Sequence, residues 1–400
     1  MSPRFKGGVV SATEPTIAPS GATGMWELST LLQAEAAGTW PLGPFISGTL
    51  WMWGSGTQGA LAQGNTTSYS SPVQVGSLDT WALVGSTRYS HAGVTSGGAL
   101  WVWGGNAEGQ LGDGSTTNRS SPVQVGSLTD WYKMSGGESH CVSVKTDGTL
   151  WTWGLNANGQ LGDGTTTNRS SPVQVGELTT WAQVAGGESH CLAIKTDGTL
   201  WAWGKNNAGQ LGLGDTDNTS SPVQIGSLTT WALAGNSGAN NGSAVKTDGT
   251  LWTWGYGYYG TPGHGNTTAL SSPVQVGSLT TWAASFGGGQ FMGATTTDGK
   301  IYAWGYNSLG QLGQGNSTNT SSPVQVGTLT TWSKAVANNQ HVVAYKTDGT
   351  LWAWGRGGQG QIGDGGTSNR NSPVQIGSLT TWGAISDNLS VALRSVAIKR

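Results

Sequence analysis

The sequence predicts an all-β fold: a seven-bladed β-propeller with four-stranded blades, its ring closed by strands from both ends of the chain. A short N-terminal extension precedes it. Three observations carry the prediction. The run Leu-Trp-x-Trp-Gly begins at Leu50, Leu100, Leu150, Leu200, Leu251 and Leu351, with Ile301-Tyr302-Ala303-Trp304-Gly305 as a degenerate seventh copy. Pro-Val-Gln-(Val/Ile)-Gly occurs at Pro72, Pro122, Pro172, Pro222, Pro273, Pro323 and Pro373. A tryptophan follows each of these, at Trp81, Trp131, Trp181, Trp231, Trp282, Trp332 and Trp382. Self-similarity at a period of about 50 residues marks a repeat architecture, and small sheets repeated about an axis make a propeller. The chain divides into an N-terminal segment, 1–47, and the propeller, 48–400.

Each unit reads as four short strands. In the copy that opens at Trp181, the apolar run to Ala185 ends at Gly186-Gly187. His190 to Ile194 is a second strand, and Asp197-Gly198 supplies the pair that favours a tight hairpin turn. Thr199 to Trp203 runs back with Trp201 and Trp203 on one face, because strand side chains alternate. A long loop leads to Pro222, which suits the start of an edge strand. No helical periodicity interrupts the repeats. A blade lies between two others, so both of its faces need apolar side chains. All tryptophans except Trp26 and Trp40 occupy repeat positions, which assigns them to blade packing.

The termini predict closure. The first unit starts at Leu50 with a third-type strand. The chain ends with a first-type strand, Trp382 to Ile385, and a second-type strand, Ser390 to Ile398. The two ends complete one blade between them.

Composition narrows the function classes. Only 10% of the 400 residues are charged and the net charge is −2, which offers little to nucleic acid or an anionic membrane surface. No apolar run approaches a membrane span, and the N-terminus lacks the apolar core of a signal peptide. Gly (68) and Trp (22) are abundant, and hydroxyl and amide residues fill much of the rest.

Catalysis needs titratable groups brought together. Here the aspartates fall mostly in turns (Asp147, Asp197, Asp248, Asp298, Asp348) or loops (Asp113, Asp163, Asp364), where local backbone hydrogen bonding accounts for them. His91, His140, His190 and His341 are assigned to one repeat position. A metal ring there is broken by Asn241 and Phe291, which favours a structural hydrogen bond. Cys141 and Cys191 share a position with Ala92 and Val342, too far apart for a disulfide, and read as buried reduced thiols. No zinc spacing or phosphate-binding loop is present, so no cofactor, no metal and no enzymatic activity are expected.

Near-identical repeats make their differences informative. The fifth unit counted from Leu50 replaces the usual Asn-x-x-Gly-Gln-Leu-Gly with Tyr256-Gly-Tyr258-Tyr259-Gly-Thr-Pro-Gly-His264, preceded by Gly235 to Asn241. Arg88, Tyr89, Phe286, Phe291 and Arg356 vary at loop positions elsewhere. These nine residues (Arg88, Tyr89, Tyr256, Tyr258, Tyr259, His264, Phe286, Phe291, Arg356) are the candidate binding site, able to stack on and hydrogen-bond a sugar or a protein surface.

Gly186-Gly187-Glu-Ser-His190, Thr-Asp-Gly198, Leu-Trp-Ala-Trp203-Gly204, Asn206 and Gly209-Gln-Leu-Gly212 together resemble the repeat of the regulator of chromosome condensation family. The resemblance covers residues 48–400 and implies the propeller fold. Its functional implication is broad, because this propeller hosts exchange factors, light sensors, inhibitors and scaffolds. The Gly-Trp-Arg-His-Thr string of its plant photoreceptor members is absent.

Residues 1–47 carry a second resemblance. Gly7-Gly8-Val-Val-Ser-Ala-Thr-x-Pro-Thr, a later Gly-x-Trp-x-Leu and Ala-Gly-Thr-Trp-Pro41 are similar to the leaders of structural proteins of tailed phages. A short helix is expected over residues 26–37. The leading expectation is therefore a non-enzymatic virion protein, made in the host cytoplasm without a signal peptide. Its leader joins other virion proteins, and its propeller displays a rim for a host cell-surface glycan or protein. Several copies on a particle, or a homo-oligomer, would add avidity. The alternative is an intracellular protein–protein scaffold, inhibitor or exchange-factor-like propeller. Nucleic acid and membrane insertion are excluded as partners by charge and hydropathy.

Overall fold

The structure is a computed structural model that describes residues 47–385, 388–389 and 393–400. The leader and the helix expected within it lie outside the described residues. The rest is a ring of seven four-stranded antiparallel blades. Blades I to VII are numbered by their first strands, Trp81–Ser86, Trp131–Gly136, Trp181–Gly186, Trp231–Ser237, Trp282–Gly287, Trp332–Ala337 and Trp382–Ile385. In blade III the remaining strands are His190–Lys195, Leu200–Gly204 and Thr219–Gln224.

Closure is as expected from the termini. Blade VII takes Trp382–Ile385 and Arg394–Lys399 from the C-terminal end, then Thr49–Gly54 and Tyr69–Gln74 from the N-terminal end. Arg394–Lys399 pairs with Thr49–Gly54 over six consecutive residues. Its strand begins at Arg394 rather than at Ser390, and Asn388–Leu389 instead pairs in parallel with Gly85 and Ser86 of blade I.

The fourth strand also differs from expectation. It starts three residues before the proline, at Thr219, and Pro222 sits in its interior. Ala202 pairs with Val223 while Gly204 pairs with Thr219, so Ser220, Ser221 and Pro222 together face Trp203. Inside such a bulge a residue owes no ladder hydrogen bond, which is where proline fits without cost.

The repeated motif explains the packing. Asp147 Oδ1 accepts from the Thr149 backbone and hydroxyl (2.9 and 2.6 Å), and Thr149 Oγ1 in turn accepts the Trp151 indole N–H (2.9 Å). Lys195 Nζ lies 3.6 Å from the Trp201 ring centroid and 4.8 Å from that of Trp181. Equivalent clamps hold Lys145, Lys246 and Lys346. The last tryptophan of each third strand is fully buried and donates its indole N–H to the preceding blade. Trp203 reaches Gln160 O at 3.0 Å, and Trp53 of blade VII reaches Gln361 O at 2.9 Å, which completes the circle. The last glycine of Gly-Gln-Leu-Gly lies flat on that indole. Gly162 has φ +70°, and a Cβ there would stand 2.8 Å from Trp203 Nε1. Between blades III and IV the core comprises Leu192, Ile194, Leu211, Ile225, Trp231 and Trp254, among others. The first strands surround a central channel with a cavity of about 500 Å³, walled by Leu83, Met134, Val184, Leu233, Phe286 and Val336.

Candidate functional site

One end of the channel is built from two repeated elements: the turn between the first and second strands, and the residue after each Trp-Gly pair. The turns are laced to one another. Arg88 N donates to Glu138 O (3.0 Å), Glu138 N to Glu188 O (2.8 Å), Glu188 N to Ala239 O (3.3 Å) and Gly289 N to Asn339 O (2.8 Å). The residues after the third strands hang from the turns. Tyr256 N donates to Asn240 O, Tyr306 N to Gln290 O and Arg356 N to Gln340 O, each at 2.9 Å. A cavity of about 530 Å³ opens at this mouth, lined by Arg88, Glu188, Asn240, Tyr256, Gln290, Tyr306, Asn339 and Gln340 with Ala239 and Gly289.

Two chemically distinct arcs face each other here. Over blades I to III the mouth is ionic. Arg88 pairs with Glu138, and that hydrogen bond, with the nearby carboxylates, holds the guanidinium above its ordinary pKa. Burial and the neighbouring Glu138 carboxylate raise the Glu188 pKa, against the pull of Lys205 and Arg88. Over blades IV to VI the mouth is aromatic and amide-rich. Tyr258 packs edge-on against Tyr259 with ring centroids 4.5 Å apart, and Tyr259 lies 4.5 Å from Tyr306 of the next blade. Tyr256 stands 6.1 Å from Tyr258. Arg356 Nη1 donates to Gln340 Oε1 at 2.7 Å.

The structure thus brings together Arg88, Tyr89, Tyr256, Tyr258, Tyr259 and Arg356, with the Arg88 guanidinium 5.1 Å from the Tyr89 ring centroid. Three candidates do not present themselves at this surface. Phe286 is buried in the channel wall. Phe291 is buried at the start of a second strand, its ring filling the space beside Gly288. His264 occupies the repeat position of Asp163 and is held with Nε2 3.0 Å from Thr253 Oγ1. The sequence reasoning missed Glu188, Gln290, Tyr306, Asn339 and Gln340. Tyr306 was findable, because like Tyr256 it directly follows a Trp-Gly pair.

The histidine assignment needs one correction. His140, His190 and His341 pair with the glycines that end their third strands, but the residue doing so in blade I is Ser90. His91 pairs with Trp103, the position of Cys141 and Cys191, so the expected match of those cysteines to Ala92 is also off by one. The second strand of blade I keeps the repeat spacing, Ser90 standing to Leu100 as His140 does to Leu150, so it is His91 that lies one residue out of place. His140 Nε2 lies 3.2 Å from Cys191 Sγ, His190 Nε2 donates to Asn241 O (3.1 Å) and His341 Nε2 lies 2.7 Å from Ser395 Oγ. Each bond crosses to the next blade. Burial lowers these imidazoles to about 3, 4 and 3 respectively. Among the described residues no group of three or more His, Cys, Asp or Glu could hold a metal. Cys141 and Cys191 are buried and unbridged, and burial pushes the Cys141 thiol up to about 12, which removes nucleophilic character.

The model of the regulator of chromosome condensation (RCC1) repeat matches residues 47–86, 97–144, 147–194, 197–236, 248–294, 298–345 and 348–393. The chain belongs to the RCC1-repeat family. Three solved structures share the RCC1 fold with it at low identity. Human WBSCR16 is 18% identical with a TM-score of 0.77, covering 88% of this chain and 98% of that one. Prp20p from Saccharomyces cerevisiae, described with its binding properties to Gsp1p and histones, is 18% identical with a TM-score of 0.80, covering 92% and 95%. Yeast RCC1 (Prp20) in a structure with Kap60 gives 16%, 0.79, 97% and 96%. No match was found among curated proteins.

Proposed function

We propose that this RCC1-repeat propeller is a non-enzymatic interaction protein that docks a protein partner across the mouth of its channel, as a scaffold, an inhibitor or an exchange-factor-like module. One observation carries the reading: repeats that are nearly identical where they pack diverge at the mouth, where Arg88, Glu188, Tyr256 and Tyr306 stand among Asn and Gln side chains. Interface hot spots favour Arg and Tyr held on a rigid frame, and the laced turns supply that frame. Protein partners named for the yeast relative, Gsp1p, histones and Kap60, support protein binding as the mode. The ionic arc is the part suited to steering such a partner. The test is affinity capture with the full chain. Arg88→Glu and Glu188→Lys should abolish a specific interaction that survives Leu178→Ser on the outer connection between blades II and III. Equal capture by all of them would overturn the reading.

A second reading concerns setting. The leader's likeness to tailed-phage structural proteins, from Gly7 to Pro41, supports a virion location, with residues 1–47 joining other virion proteins and the mouth turned to the host. Immunogold microscopy of particles, with antibody to the leader and separately to the propeller, tests it. Label at fixed points on tails or fibres is the expected result; particles free of both labels would refute it.

A further inference from the structure

We propose that the aromatic arc of the mouth is a binding site for a neutral saccharide, whose ring faces stack on Tyr256 and Tyr306 while Asn240, Gln290, Asn339 and Gln340 hydrogen-bond its hydroxyls. This site shares its cavity with Arg88 and Glu188 of the ionic arc but is built from other side chains, and it stands without the protein-docking reading.

The repeats themselves provide the control. The residue after the Trp-Gly pair is Ser55, Gly105, Leu155, Lys205 and Arg356 in the other blades, so folding places no demand for tyrosine there. Two positions later, where Tyr258 is 57% exposed, the other copies carry Thr57, Ala107, Ala157, Asn207, Ser308 and Gly358. Four tyrosines are nevertheless gathered in one continuous ridge across two blades. Tyr259 takes φ +63° there, as Gln58 does at the same repeat position of blade VII (φ +62°), so the turn conformation is the repeat's own and only the tyrosine side chain is particular to this blade.

The wall chemistry selects the ligand class. Tyrosine combines an apolar face with a polar tip, and each side-chain amide offers two donors and an acceptor. A sugar presents the complement: a C–H underside and hydroxyls that both donate and accept. Arg88 is engaged with Glu138 and Arg356 with Gln340, and the remaining charged lining residue, Glu188, is acidic, which disfavours phosphate or carboxylate ligands. The cavity of about 530 Å³ falls within the range of small-molecule sites, ~300–1,000 Å³. Its amides are carried on turns whose backbones are already hydrogen-bonded, so little ordering remains to be done on binding.

The experiment is saturation-transfer difference NMR on the full chain with cellotriose, maltotriose, xylotriose and N-acetylchitotriose at millimolar concentration. At least one should show transfer, strongest at ring C–H protons. Tyr306→Leu and Tyr256→Leu restore the residue that blade II carries there, Leu155, so both variants should fold. Each should weaken binding of that sugar about tenfold, in line with the loss of an aromatic anchor. Leu178→Ser, on an outer connection, should leave it unchanged. Absence of transfer from all four sugars, or transfer that persists undiminished in Tyr306→Leu, would overturn the proposal, and neither result touches protein capture through Arg88 and Glu188.

Discussion

Replacing His140, His190 and His341 together by asparagine should remove most of the protein's sensitivity to mild acid. The three imidazoles are buried and neutral, with pKa values of about 3, 4 and 3 in the folded chain. In the unfolded chain each returns to ~6.5. A base whose folded pKa is depressed is protonated first in the unfolded state. Stability is therefore highest above about pH 6.5, falls as the pH drops towards the folded pKa, and levels off below it. At about pH 4.5 each histidine should have cost nearly ~3 kcal/mol, or ~8 for the three together. Asp147 and Asp197 do not confound this window, because their hydrogen bonds to Thr149 and Thr199 keep them below their ordinary values and move their contribution to lower pH. Asparagine is a natural occupant of the position: Asn241 of blade IV is buried and donates to Tyr256 O at 2.8 Å. The assay is urea unfolding followed by tryptophan fluorescence at about pH 7.5 and 4.5. Wild type should lose several kcal/mol between the two, and the triple variant should lose only what His91, His264 and the carboxylates contribute. An equal acid loss in both proteins would refute the inter-blade role assigned to these residues.

Other expectations concern packing and closure. Trp203→Ala, which empties a fully buried site and deletes the 3.0 Å bond to Gln160 O, should cost about 3–5 kcal/mol in urea unfolding. Lys195→Met keeps the stem between Trp181 and Trp201 but removes the cation, and should cost about 0.5–2 kcal/mol by the same assay. Ala62 takes φ +59° where blade II carries Gly162, so Ala62→Gly should stabilise by about 0.5–1 kcal/mol and raise the melting temperature, the relief of strain exceeding the added chain entropy. Truncation after Ile385 removes Arg394–Lys399 and bares the edge of Thr49–Gly54; light scattering should then show aggregation in place of the monomer.

The fold was legible because the signals that encode it are repeated. The Trp-x-Trp-Gly and Pro-Val-Gln runs, the Asp-Gly turns and the incomplete units at either end fixed blade number, strand order and closure. What escaped was local. His91 was placed with His140 because the residue type matched, whereas ladder pairing with Gly104 and Trp103, in agreement with the repeat spacing, puts Ser90 there. Pro222 looked like a strand start, since a three-residue bulge against Trp203 has no signature in one sequence. At the mouth, Tyr256 and Arg88 were visible as departures from the repeat. Gln290, Asn339 and Gln340 were not, because they are small polar residues in variable turns, and only the ring brings turns of separate blades together.

The central claim is that the mouth of the channel, and not the opposite face or the outer edges, is where this protein engages a partner. The most direct test is cross-linking mass spectrometry on the full chain recovered with its partner from the source. Cross-links should converge on the turns around Glu138, Glu188 and Lys205, and Arg88→Glu should remove them together with the partner. Cross-links concentrated instead on the outer connections around Leu128, Leu178 and Leu228, and unchanged in Arg88→Glu, would contradict the account.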